Sequence, residues 1–129
     1  MYTRFMTALL LLSAAAMPLA ADARADAKKQ VEFGITVAQR GLWREAIYRW
    51  ERAAQIDPKY AEALNNLAIA YEHEGDLEKA RVAYEKALEL EPNNALIKQN
   101  YELFKEINDR TTRKASQDSQ DNQGNQVSQ

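Results

Sequence analysis

The chain of 129 residues has no cysteine, one histidine, four glycines and three prolines. Without cysteine there are no disulfides, no thiolate nucleophile and no thiol for a lipid anchor behind an apolar leader, so packing alone must hold the fold. The lone histidine, His73, is flanked by Glu72 and Glu74. Sequence neighbours point to different sides of a helix, and one imidazole is thin ligation for zinc, so no metal is expected. A glycine-rich phosphate loop is missing, and spacing supports no Ser-His-Asp arrangement; no catalytic residue and no cofactor are expected, and the chain reads as a non-enzyme. Long hydrophobic runs are missing too: the longest, residues 5–17, holds 13 residues, short of the roughly 20 that a spanning helix needs. Neither charge sign dominates, with 17 basic and 19 acidic residues and a net charge of -2. That balance points away from nucleic acid, and no basic amphipathic helix points to a membrane surface.

What the chain does have is internal repetition. Residues 27–60 and 61–94 share one skeleton at a period of 34: Phe33 maps to Leu67, Gly34 to Ala68, Gly41 to Gly75, Ala46 to Ala80, Trp50 to Tyr84, Ala53 to Ala87 and Pro58 to Pro92. Each recurrence has a physical reason. Small residues let two helices approach closely, and large apolar ones at spacings of three, four and seven make one buried face, on which Phe33, Trp50, Leu67, Tyr71, Tyr84 and Leu88 are expected. Gly41 and Gly75 stand where a helix stops in a left-handed turn. Asp76 can cap the helix that follows, and Pro58 and Pro92 close each unit. The spacing predicts helices over residues 27–40, 44–56, 61–74 and 78–90. A fifth, capped by Asn93 or Asn94, runs over residues 95–109, with Ile97, Tyr101 and Phe104 sealing the second unit.

Leu64, Leu67, Ala68 and Tyr71, then Ala80 and Tyr84, then Pro92, resemble the W-x-x-L-G-x-x-Y, A-x-x-x-F, P pattern of the tetratricopeptide repeat. The first copy departs from it, with Gln30 where Trp or Leu is usual and Val37 where Tyr is usual, as terminal repeats often do. The resemblance implies an all-α fold: a short right-handed helical-hairpin solenoid of two tetratricopeptide repeats plus a C-terminal capping helix, over residues 24–110. Lys98, Glu102 and Lys105 break the signature in the fifth helix, so it reads as a cap and not a third repeat.

The two ends are different material. Residues 1–23 combine Arg4, the apolar run and Ala21-Asp22-Ala23 in the order of a secretory signal peptide cleaved after Ala23. Ala25-Asp26-Ala27 offers a second cleavage place, and an uncleaved leader anchored in the inner membrane is the alternative. Secretion to the periplasm is the expected location. Residues 111–129 are Ser, Gln, Asn and Asp rich, the composition of a disordered polar tail.

Function is expected on the inner surface, which in proteins resembling this one is lined by the first helix of each repeat. That surface offers Val31, Ile35, Ala38 and Gln39, then Asn65, Ile69, Glu72 and His73, then Leu103. Ile35, Ile69 and Leu103 recur at the period and would form a ridge for the apolar side of a partner peptide or helix, unless they merely pack between repeats. Asn65 and Gln39 could bond the partner's backbone. The family's carboxylate clamp is missing: Asn66 matches its middle element, but Val31 and Ile35 stand where Lys and Asn are needed. Trp50 is expected in the core, and Trp43 as a staple at the start of its helix. Residues 27–60 hold seven basic residues against four acids and residues 61–94 three against eight. This asymmetry can stabilise the repeat interface or, with Leu96, Leu103 and Ile107, stack one copy on another as a homo-oligomer.

Overall fold

A computed structural model describes residues 16–124. Residues 1–15 and 125–129, which include most of the expected leader and the end of the expected tail, lie outside the described residues. The described residues fold into five helices: α1 Ala16–Ala38, α2 Trp43–Ile56, α3 Ala61–His73, α4 Leu77–Leu90 and α5 Ala95–Gly124. Helix α1 packs on α2 and α3 on α4, making two hairpins; α2 against α3 joins them, and α5 closes on α3 and α4. The architecture is an all-α helical repeat stack.

Both hairpin turns are built identically. Gly41 and Gly75 sit at φ of 78° and 80°, the conformation an L side chain rarely takes. The N–H of Leu42 reaches the Val37 carbonyl at 3.0 Å, and that of Asp76 reaches Tyr71 at 2.8 Å. Each bond closes the last helical turn and satisfies a carbonyl the helix would leave free. Asp76 then caps α4 by accepting from the Lys79 N–H at 3.4 Å. Asn94 caps α5 by accepting from Leu96 and Ile97 N–H at 3.1 and 3.2 Å.

Between the helices the small residues Ala46, Ala53, Ala68, Ala80 and Ala87 are fully enclosed, with Trp50, Leu67 and Tyr84 filling the space they leave. Helices α1 and α2 approach closely at Gly34, where an added Cβ would lie 2.3 Å from Trp50 Nε1. That indole N–H donates to the Val31 carbonyl at 3.1 Å, which locks α2 onto α1. Successive helices are then bridged by tyrosines. Tyr71 of α3 donates to Glu51 of α2 at 2.7 Å, Tyr84 of α4 to Glu72 of α3 at 3.2 Å, and Tyr101 of α5 to Glu85 of α4 at 2.9 Å. Burial first, and then these carboxylates, push the Tyr71 and Tyr101 phenols up. On α5, Phe104 and Tyr101 pack their rings against Tyr84 with centroids 5.5 and 5.6 Å away, sealing the second hairpin.

Three expectations differ from what forms. Helix α1 is already formed at Ala16, the first described residue and eleven before the predicted start; five of residues 16–26 are alanine, the strongest helix former. Helix α5 continues past the predicted end near Asp109 to Gly124, through residues read as a disordered tail. No glycine or proline interrupts it, and Thr111, Thr112 and Ser116 bond the carbonyls four residues back at 3.0, 3.0 and 2.9 Å. Phe33, expected in the core, is 47% exposed, because no preceding repeat covers it. The Arg49 guanidinium lies 4.3 Å over its ring instead.

Candidate functional site

The two hairpins meet at a cleft of about 290 Å³. Helix α1 lines it with Ile35, Ala38 and Gln39, α2 with Trp43 and Trp50, and α3 with Asn66 and Ile69. The spacing puts them there: residues three, four or seven apart share one helical face. Helix α2 reaches the cleft because Gly34 leaves a notch for the Trp50 ring. Trp43 fixes the mouth by stacking on His73 at 4.1 Å and 21°, tying the start of α2 to the end of α3. The lining is apolar apart from two side-chain amides, and the Asn66 Nδ2 is shielded from solvent without an acceptor.

Of the residues expected to bind a partner, Ile35, Gln39 and Ile69 come together in this cleft. Leu103 lies apart from it on α5, 55% exposed, in a row with Leu96 and Ile107 at 61% and 48%. Spacings of seven and four along one helix put those three on a single side. The remaining four do not line the cleft. Val31 is 1% exposed and belongs to the core, where its carbonyl holds Trp50. Asn65 is 4% exposed and accepts from Asn100 Nδ2 at 3.1 Å, which makes it a tie between α3 and α5 and leaves it unavailable to a peptide backbone. Glu72 is half-buried and accepts from Tyr84, whose phenol burial pushes up. His73 is occupied by Trp43.

Trp43, Trp50 and Asn66 line the cleft without being among the expected partner-binding residues. Trp43 is the first residue of α2 and so cannot staple that helix from outside it; its cross-hairpin stack depends on where α3 ends. Asn66 was legible only as a fragment of an incomplete clamp, although it stands three residues before Ile69 on the same face. A second apolar cleft, of about 280 Å³, lies between α3 and α4 and is lined in part by Leu64, Tyr71 and Val82, with Lys79 and Lys86 beside them. Among the described residues no group of three or more His, Cys, Asp or Glu could hold a metal ion. No described helix is long and apolar enough to cross a membrane.

Comparison with known proteins agrees with this architecture. Residues 61–94 match the family described as tetratricopeptide repeat, and residues 37–75 match the family described as TPR repeat. The second match begins at Val37 and so leaves out most of α1, the helix that departs from the pattern. The chain is similar to the uncharacterized protein ycf37 of Pyropia yezoensis, with 53% identity over 45 residues, 35% of this chain. The aligned part spans about a quarter of that relative's length, 25%. Together these support tetratricopeptide repeat character, and such repeats generally mediate protein–protein interaction and are typically non-catalytic.

Proposed function

We propose that the protein is a non-catalytic adaptor or scaffold that holds a partner protein by a peptide or helix laid across the concave side of the repeats. It acts after secretion, in the periplasm, and uses no cofactor. The cleft between the hairpins carries this reading: an open, apolar recess framed by Ile35, Ile69 and Trp43, with an unpaired Asn66 donor in its wall. Apolar recesses with a few polar groups are where proteins take up anchoring side chains. Leu103, exposed on α5 and apart from the cleft, is the second apolar contact proposed for the partner.

The test is a charge placed in the recess. Ile69→Glu is expected to abolish cross-linking to the partner recovered from periplasmic extract while far-ultraviolet circular dichroism stays that of the parent. Unchanged cross-linking to the same partner sinks the reading. A second reading, that copies stack on one another, draws on the exposed row Leu96, Leu103 and Ile107 and on the opposite charges of the two repeats. It requires an oligomer at low salt in size-exclusion chromatography with light scattering, and a monomer there removes it.

A further inference from the structure

Two places in the sequence suit cleavage of a leader, after Ala23 and after Ala27, and the docking of Arg24 separates them. We propose that the chain is processed at the Ala23–Arg24 bond, so that the mature protein begins with Arg24. This rests on the reading of residues 1–23 as an export leader.

Among the described residues Arg24 makes the first polar tertiary contact along α1. Its Nε donates to the Asp57 carboxylate and its Nη2 to the Lys59 carbonyl at 3.3 Å. Its guanidinium lies 4.5 Å over the Tyr60 ring. Hydrogen bonding from Arg24 is the chief reason the Asp57 acid sits below its usual range. One side chain thus pins the start of the first hairpin to the turn between α2 and α3. Before it, Leu19 is 75% exposed, Ala20, Ala21 and Asp22 are exposed as well, and no side-chain hydrogen bond or ion pair from residues 19–23 is present among the described residues. Of these five only Ala23 is partly buried, so removing them leaves the docking of Arg24 and the enclosed Ala27 in place. Cleavage after Ala27 would remove Arg24 with its three contacts and also Ala27, which is wholly enclosed in the core.

A helix that starts at Arg24 has Asp26 in its first turn, where a carboxylate offsets the positive end of the helix dipole. Ala21 and Ala23 supply the small residues that a leader peptidase requires before the scissile bond. The step is a hydrolysis: water adds across the Ala23–Arg24 amide, residues 1–23 leave with a new carboxylate on Ala23, and Arg24 keeps an α-ammonium group.

The experiment is the intact mass of the full chain, carrying a C-terminal tag, after expression in an export-competent Gram-negative host. The expected species in the periplasmic fraction is residues 24–129 plus tag, and Ala23→Tyr should lose that species at least tenfold. A product beginning at Lys28, or a 24–129 product undiminished in Ala23→Tyr, overturns the assignment of the bond while leaving the leader intact as an idea. Full-length protein held in the membrane fraction overturns both.

Discussion

The two repeats solve one packing problem with different parts. The first pairs a glycine, Gly34, with the large indole of Trp50, whose N–H is satisfied by the Val31 carbonyl. At the equivalent places the second has Ala68 and the smaller phenol of Tyr84, whose hydroxyl is satisfied by Glu72. What the period preserves is the total volume between two helices and a partner for the polar atom; residue identity is free to vary within that limit. The repeats also differ in enclosure. The second is covered on one side by α2 and on the other by α5, whereas the first has an open edge, visible in the exposed Phe33 ring.

Removing that difference in enclosure should have the largest effect. Phe104 is buried against Tyr84 and is the main apolar plug that α5 supplies to the second hairpin. Phe104→Ala is expected to cost about 3 to 5 kcal/mol of stability, the range for truncating a buried aromatic, read from urea denaturation. A loss under about 1 kcal/mol would mean that α5 is an appendage and that two hairpins suffice, against the usual need for about three units.

The volume rule is tested by exchange. Gly34→Ala pushes a methyl into the Trp50 ring and should destabilise by about 1 to 3 kcal/mol, the usual cost of overpacking. Adding Trp50→Tyr gives the first repeat the pair that the second already uses. It should recover part of the loss, leaving a coupling energy of about 0.5 kcal/mol or more in a double-mutant cycle. Strict additivity would show that the two repeats do not share one rule.

The same contrast explains what could be read from the chain in advance. Recurring signals were legible where their cause is local: the glycine turns, the Asp76 and Asn94 caps and the small-against-large core positions follow from neighbouring residues alone. The site was only partly legible, because whether a face is groove or core depends on what stands beyond it. Ile35 and Val31 both sit on the expected inner face of α1, yet Val31 carries the carbonyl that receives Trp50 and is sealed, while Ile35 opens into the cleft. Asn65 and Asn66 are adjacent amides, and only the reach of Asn100 from α5 decides which one is spent. Polar composition misjudged residues 111–124 for a related reason: it measures the lack of a core and says little about a helix that already has a capped start and no breaker.

The polar halves of the repeats differ in their response to base. Tyr71 and Tyr84 in the second repeat, and Tyr101 on its cap, have phenols raised above their ordinary value, chiefly by burial, and Tyr60 at the junction is pushed up to about 12. A raised phenol contributes stability that is complete below the unfolded value near 10 and is lost as pH rises through the folded value. The melting temperature should therefore fall as pH climbs above about 10. Tyr84→Phe, which cannot ionise, should make that fall shallower. An unchanged pH slope in Tyr84→Phe would place the sensitivity elsewhere.

The smallest expected effect is a difference close to zero. Gly41 and Gly75 adopt nearly the same φ, and a Cβ added at either would meet nothing within 4 Å. An alanine at either position pays only for its own left-handed backbone, about 1 to 2 kcal/mol. Gly41→Ala and Gly75→Ala should thus be equally destabilising to within about 0.5 kcal/mol, the margin within which independent sites behave additively. The repeats around them are unequal in charge, enclosure and core residues, so equality here would locate their shared design in the backbone turn. A larger gap, with Gly75→Ala the costlier, would mean that the enclosed repeat transmits turn strain into its packing and the open one relaxes it at the Phe33 edge.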